Sequence, residues 1–255
     1  MQIDYEDNLQ EFLHNPALVK KYRESLLGGG LLIVSKCFEE SEIKRWVTYL
    51  EGIGRGSLPN YQPIKQGAPN FHRVNNSDPR AYVKGCFHQF VFYPWNDDVL
   101  GLFSRLRDVF MVKNLLSDVQ ADRFLGPDPE DGCIARIAFQ FYPAGCGYLN
   151  RHRDPVDYHQ LCVPTVTLSK KGRDYMDGGL IVEDEEGNKV NFDDVSEPGD
   201  VVFFNASQIH SVEPIDPGSD AAWTDFVGRW MILVAVNRLA SNTAVADAQD
   251  LTERS

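Results

Sequence analysis

The stretch YLNRHRDPVDYH, residues 148–159, gathers His152, Asp154 and His159 in a chain that has six histidines. In an extended strand, residues two apart face the same side, so His152 and Asp154 point one way while Arg153 points the other. An imidazole and a carboxylate side by side can fill two neighbouring positions around a metal ion, and a third donor is needed to complete one face. The stretch GDVVFFNASQIHSVEPI supplies His210, just beyond an apolar run that starts at the Pro198-Gly199-Asp200 turn. Two histidines and one carboxylate on one face, with the remaining positions open, is a donor set suited to Fe(II). Downstream, Arg229 opens the apolar run GRWMILVAVN, a costly place for a guanidinium unless it meets an anion. A carboxylate fits its fork, and Arg238 at the far end of the run is the nearby competitor. His159 follows Asp154 in a Pro- and Asp-containing loop and reads as a surface or supporting residue, not a ligand.

These groups need a rigid frame, and the pattern after residue 130 predicts one. The runs CIARIAFQFY, LCVPTVTLS, GGLIVED, VNFDD, DVVFFNA and GRWMILVAVN are short, apolar and separated by Gly, Pro, Asp and Asn, as in an antiparallel sandwich or barrel. Ahead of them, residues 8–26 read as helical with a break at Pro16, and LLIVSKCF reads as a strand. Ser41 is placed to cap a helix carrying Ile43, Trp46, Val47 and Leu50 on one face. Residues 55–80 read as loop or irregular strand, CFHQFVFYPW as a strand, and Asp98 to Val119 as one helix. The expected organisation is an N-terminal support region of helices and strands over 1–130, packed on a β core over 131–240. A polar tail over 241–255 is expected to be disordered.

Composition narrows the function classes. The chain has 255 residues and a formal net charge of −12, which argues against a nucleic-acid partner because polyphosphate binding rests on surplus Lys and Arg. The N-terminus lacks a basic start and apolar run, and no stretch approaches a membrane span. The five cysteines, without CxxC pairing, fit reduced thiols in a cytoplasm better than a disulfide framework or a zinc site. The oligomeric state is left open.

Taken in order, FYPAGCGYLNRHRD, GGLIVED, PGDVVFFNA, HSVEPI and GRWMI over about residues 133–238 resemble the Fe(II)/2-oxoglutarate-dependent dioxygenases, and most closely their prolyl-hydroxylase-like branch. The gap between His210 and Arg229 is longer than that branch usually has, with DPGSDAAWTDF reading as an inserted loop. The resemblance implies a mainly β fold with N-terminal helices around a double-stranded β-helix (jelly roll, cupin-like) core. It implies Fe(II) on His152, Asp154 and His210, with 2-oxoglutarate and O2 as cosubstrates yielding succinate and CO2. Arg229 would anchor the distal carboxylate of 2-oxoglutarate, assisted by Thr167 or Thr165 and by Tyr142. A carboxylate at position 154, where related halogenases carry a small residue, argues for hydroxylation, or for desaturation or ring closure, over halogenation.

For the substrate, alternation from Tyr142 puts Gln140 and Arg136 on the same face, while His72, Arg73 and Asn76 lie ahead of the barrel in a loop-like stretch that could cover its mouth. The expected partner is a small polar molecule such as an amino acid or natural-product intermediate. The alternatives are peptidyl or prolyl hydroxylation of a protein, and a non-catalytic cupin-like binding protein.

Overall fold

The computed structural model describes residues 1–155, 159–220, 223–244 and 247–252. Positions 221 and 222, in the stretch expected to be an inserted loop, lie outside the described residues. The N-terminal part supplies β1 (Ile3–Glu6), α1 (Leu9–His14), α2 (Pro16–Leu27), β2 (Leu31–Val34), α3 (Glu40–Gly56), β3 (Phe71–Asn76), β4 (Gly85–Phe92), α4 (Leu102–Arg105) and α5 (Arg107–Leu116). The remainder is almost all strand: β5 (Cys133–Pro143), β6 (Tyr148–Arg153), β7 (Thr165–Thr167), β8 (Gly179–Glu183), β9 (Lys189–Asn191), β10 (Val201–Phe203), β11 (Ile209–Glu213), β12 (Gly228–Arg238) and β13 (Gln249–Asp250).

The strands hydrogen-bond in the order β1-β2-β10-β7-β12-β5-β4-β6-β11-β8-β9, with β3 on β4 and β13 on β6. All pairs are antiparallel except β1 with β2. One end of β4, at Gly85 and Cys86, pairs with β6, while His88 to Phe92 pair with β5. The sheet therefore curls at β4 into two facing halves, the expected double-stranded β-helix. Strands β1 to β4, all from the first 130 residues, are built into this same sheet, so hydrogen bonding runs without a break between the support region and the core.

Strict alternation separates an outer from an inner face. On β5 and β12, Ala135, Ile137, Phe139 and Phe141 join Trp230, Ile232 and Val234 in an outer core, completed by Phe12, Tyr22, Trp46, Leu50 and Phe110 of the helices. Each such large apolar side chain contributes about 1.5–3 kcal/mol on burial. The even-numbered residues of β5, including Arg136, Gln140 and Tyr142, face inward with Met231, Leu233 and Ala235 of β12. Both faces are covered, which is why these strands read as nearly continuous apolar runs.

Several local expectations are corrected. The helix expected over 98–119 starts later, because Gly101 sits at φ +65° and Asp98 turns its carboxylate onto the amides of Leu102 and Phe103, and it is divided in two at Leu106, whose backbone (φ −93°, ψ 5°) departs from helical geometry. Glu39, not Ser41, occupies the cap position of α3. The Gly/Pro/Asn-rich region contains a full strand, β3, whose every residue is in register with β4. The tail expected to be disordered forms β13, with Gln249 opposite Arg153 and Asp250 opposite His152. Asp250 accepts hydrogen bonds from the Lys84 amide and from Asn150 Nδ2, which ties the segment down.

Candidate active site

The three candidate ligands meet because β6 and β11 are antiparallel neighbours in which His152 and His210 are direct partners. Cross-strand partners share a face of the sheet, so both rings turn inward, with centroids 4.0 Å apart. Asp154 lies just past the end of β6, where its amide donates to the Ala206 carbonyl at 2.9 Å. That bond draws the loop after β6 toward the segment leading into β11. On the outer face Arg151 is held by a two-pronged bridge to Glu183 of β8, and Arg153 is exposed.

Ligand atoms of His152, Asp154 and His210 lie within 4.8 Å of one another. Nδ1 of His152 contacts the Asn150 carbonyl at 2.8 Å, and Nδ1 of His210 contacts the Gln208 carbonyl at 2.9 Å. A carbonyl can only accept, so each Nδ1 carries the proton and each Nε2 presents a lone pair toward the Asp154 carboxylate. Those Nε2 atoms stand 4.0 and 3.6 Å from the carboxylate oxygens, which leaves a gap the size of a coordinated ion. Burial, followed by the neighbouring His210, lowers the His152 pKa to about 4 and keeps that ring neutral. Burial alone would raise the Asp154 pKa, but the two histidines and Arg136 outweigh it and the net shift is downward. Neutral imidazoles and an ionised carboxylate are the donor set a divalent cation requires, and it fits Fe(II).

The triad opens into a cavity of about 310 Å³. Of the residues expected to bind substrate or cosubstrate, Tyr142, Thr165, Gln140, Arg136 and Arg73 line it. Tyr142 donates its hydroxyl to Gln140 Oε1 at 2.8 Å. Thr167 does not reach the cavity: it is one residue pair deeper on β7, where its hydroxyl meets Ser196 at 3.0 Å. His72 and Asn76 are also outside. With β3 a strand, alternation sends Arg73 and Asn75 inward and His72 to the opposite face, where it stacks on Phe90 and contacts His88 at 2.9 Å. His159 lies away from the triad, its ring 5.0 Å from Phe124 and its carbonyl accepting from Lys113.

Arg229 does meet an anion, and that anion is a residue of this chain. Nε and Nη2 grip the two oxygens of Asp193 at 2.7 and 2.9 Å, with both residues 2% exposed. Burial works against the Arg229 charge, but Asp193 more than compensates and the pKa is raised. Gly228 permits this placement: at φ +143°, a Cβ there would sit 2.3 Å from the Tyr142 carbonyl oxygen. Arg229 lies beside Tyr142, 5.8 Å from its ring, without contributing to the cavity wall. Its Nη1 and the hydroxyl of Tyr175 remain buried donors with no hydrogen-bond partner among the described residues.

Sequence reasoning missed Asp193, Gln89, Tyr93 and the cavity-lining Asp247 and Ala248 of the tail. A polar Gln89 inside the apolar run CFHQFVF was a readable signal, since a glutamine on a buried strand needs a polar surface to face. Among the described residues, no helix is long and apolar enough to cross a membrane, and all five cysteines are free.

No family model matches the sequence, and no curated protein sequence is similar to it. Solved structures are similar in fold. A Pseudomonas putida prolyl-4-hydroxylase aligns at TM-score 0.53 and 14% identity, over 86% of this chain and 98% of its own. A full-length Neurospora crassa protein in complex with alpha-KG and thymine aligns at TM-score 0.54 and 13% identity, over 92% of this chain and 86% of its own. A Trichoplax adhaerens prolyl hydroxylase in complex with a peptide fragment of hypoxia inducible factor aligns at TM-score 0.51 and 16% identity, over 89% and 92%. The chain thus has the double-stranded β-helix fold of prolyl hydroxylases and other alpha-KG-binding proteins.

Proposed function

We propose that this protein is an Fe(II)/2-oxoglutarate-dependent oxygenase that hydroxylates a C–H bond of a small polar molecule. The observation that carries the reading is the convergence of His152, Asp154 and His210, with both Nε2 lone pairs oriented by backbone carbonyls, on the wall of a cavity. Similarity to structures that contain alpha-KG supports the choice of cosubstrate. When bound, the iron, cosubstrate and O2 supply the oxidant, and the protein supplies position and exclusion.

His152, Asp154 and His210 would hold the metal at the cavity wall. Arg229 Nη1 and the Tyr175 hydroxyl are the donors that would receive the cosubstrate's distal carboxylate, with Asp193 fixing the guanidinium plane. Thr165 and Tyr142 line the cavity, and Arg229 lies beside Tyr142, behind its wall. The inward faces of β5 and β12 keep bulk water from the reacting atoms, and a cavity near the small end of the usual ligand-site range favours a small molecule over a protein segment.

Anaerobic titration of the apo-protein with Fe(II) and 2-oxoglutarate tests the reading through the visible charge-transfer band of the chelate. The band is expected in the wild type and absent in His210→Ala. A folded, metal-loaded wild type without a band overturns the proposal and moves the cupin-like binding protein to the front. Succinate release with peptides but with no small molecule would replace the substrate class by a peptidyl one.

A further inference from the structure

Three strands carry a row of inward polar residues across the sheet, and the row ends at a methionine on a fourth. Arg73 on β3 is in register with Gln89 on β4, Gln89 with Gln140 on β5, and Gln140 with Met231 on β12. Arg136 lies on the same face of β5 as Gln140, and Tyr93 follows the end of β4 beside it. All of these residues line the cavity that holds the triad.

Arg73 and Arg136 lack a paired carboxylate among the described residues, and the acid whose charge reaches Arg136 is Asp154 of the triad. Neither takes part in a salt bridge among the described residues, whereas Arg80, Arg105, Arg123, Arg151, Arg173, Arg229 and Arg238 each have a carboxylate. Acid is not scarce in a chain with 37 acidic and 25 basic residues. Nε of both arginines, the Tyr93 hydroxyl and Gln89 Oε1 are shielded from solvent and lack a hydrogen-bond partner among the described residues. The two guanidiniums are near enough that Arg136 adds to the burial that disfavours the charge on Arg73. The Tyr61 ring closes over Arg73 at 5.2 Å. Two adjacent, partly desolvated cations with idle donors are unfavourable unless an anion joins them, and such clusters mark binding sites.

We infer that the molecule oxidised at this site carries a carboxylate, which docks on Arg73 and Arg136 with Tyr93 and Gln89 as neutral partners. This assignment rests on the oxygenase reading for the word "oxidised"; the anion site itself does not. Two planar guanidinium forks match the two oxygens of one carboxylate. The charge count agrees. A divalent metal, the Asp154 carboxylate and a dianionic cosubstrate leave one net negative charge, the Arg229–Asp193 pair adds none, and the two arginines leave one positive charge for a single carboxylate. The other cavity-wall acid at this end, Asp247, is already taken by Arg238 at 2.5 Å.

The test uses full-length protein with 15N,13C-labelled arginine, titrated with sodium butyrate and separately with butyramide. Saturable shifts of the Arg73 and Arg136 side-chain signals are expected with butyrate and not with butyramide. Arg73→Met and Arg136→Met, confirmed as folded by circular dichroism, assign the signals and weaken butyrate binding about tenfold or more each, the loss expected of a charge-assisted contact. Arg136→Lys, which keeps the charge without the fork, falls between. Equal responses to acid and amide, or no saturable response, overturn the inference. The Fe(II)–2-oxoglutarate band measured in Arg136→Met separates the two readings. Its loss there, with wild type intact, reassigns the pair to the cosubstrate and overturns the inference. Its absence in wild type that still binds butyrate through both arginines removes the oxygenase reading and leaves the anion site standing.

Discussion

Replacing Asp193 by Asn removes one charge and one acceptor from the interior with almost no change of shape. In the native protein, Oδ2 accepts from Arg229 Nε and from the Leu180 amide, each at 2.7 Å, while Oδ1 accepts from Arg229 Nη2 at 2.9 Å. An asparagine can keep one oxygen in the doubly used position. Its NH2 group then faces Nη2, donor against donor, and Arg229 is left charged at 2% exposure with no carboxylate paired to it among the described residues. Breaking a buried pair from one side costs about 3–5 kcal/mol. For a chain of this size, 1 kcal/mol moves Tm by about 2–4 °C, so a fall of roughly 10 °C is expected. Urea unfolding should show a lower midpoint with an unchanged slope, the signature of lost native stability.

The double variant Arg229→Met/Asp193→Leu should recover most of the loss, because apolar groups of similar volume often replace a buried pair at little cost. Its recovery relative to the two single changes gives a coupling on the order of 2 kcal/mol or more by double-mutant cycle. The same protein separates structure from binding: stable, yet with a weakened Fe(II)–2-oxoglutarate band, if Arg229 Nη1 receives the cosubstrate. An Asp193→Asn protein within about 0.5 kcal/mol of wild type, the range of an ordinary surface change, would refute the reasoning.

Loss of a ligand should exceed the ten- to hundredfold typical of losing an outer partner of a metal site, so His152→Ala and His210→Ala should each reduce Mn(II) affinity by more than that in calorimetry, with circular dichroism unchanged. Asp250→Ala unties β13 from the strand bearing His152; the expected cost is about 0.5–1.5 kcal/mol, the net worth of an ordinary hydrogen bond, with a several-fold weaker metal site, and an unchanged Mn(II) affinity would show that β13 does not support the ligand. Burial lowers the pKa of both His72 and His88 to about 4, with His72 adding to the shift on His88. Their neutral forms are thus favoured by folding, so the stability they contribute is full above pH 6.5 and is lost as pH falls toward 4. At about 1.4 kcal/mol per pKa unit, each histidine accounts for roughly 3 kcal/mol at most, and His72→Phe should flatten the decline of urea midpoint between pH 6.5 and 4.5.

The parts of this molecule legible in its sequence are those that alternation and apolarity force. His152 and Asp154 were readable as a same-face pair because β6 is an ordinary strand end, and His210 because it follows closely on a buried run. Arg136 and Gln140 followed from Tyr142 by counting in twos along β5. Thr165 and Thr167 also share a face, but alternation is silent about depth, and it is Ser196 that draws Thr167 out of reach of the cavity. On β3 the phase itself was hidden by the Gly, Pro and Asn around it; one residue of phase exchanges His72 and Asn76 for Arg73 and Asn75.

Arg229 shows the limit most sharply. Its position in an apolar strand required an anion, and that inference was sound, but nothing local said which anion. Asp193 lies in a short 3-10 turn, Phe192–Asp194, between β9 and β10, and only the curl of the sheet brings it under β12. Physical necessity therefore identifies an unpaired charge in a sequence, while topology selects its partner. Where topology supplies a partner, as at Arg229, the charge is structural first and any ligand must use what is left of the fork. Where it supplies no paired carboxylate among the described residues, as at Arg73 and Arg136, the same necessity points outward, to a molecule from outside the chain.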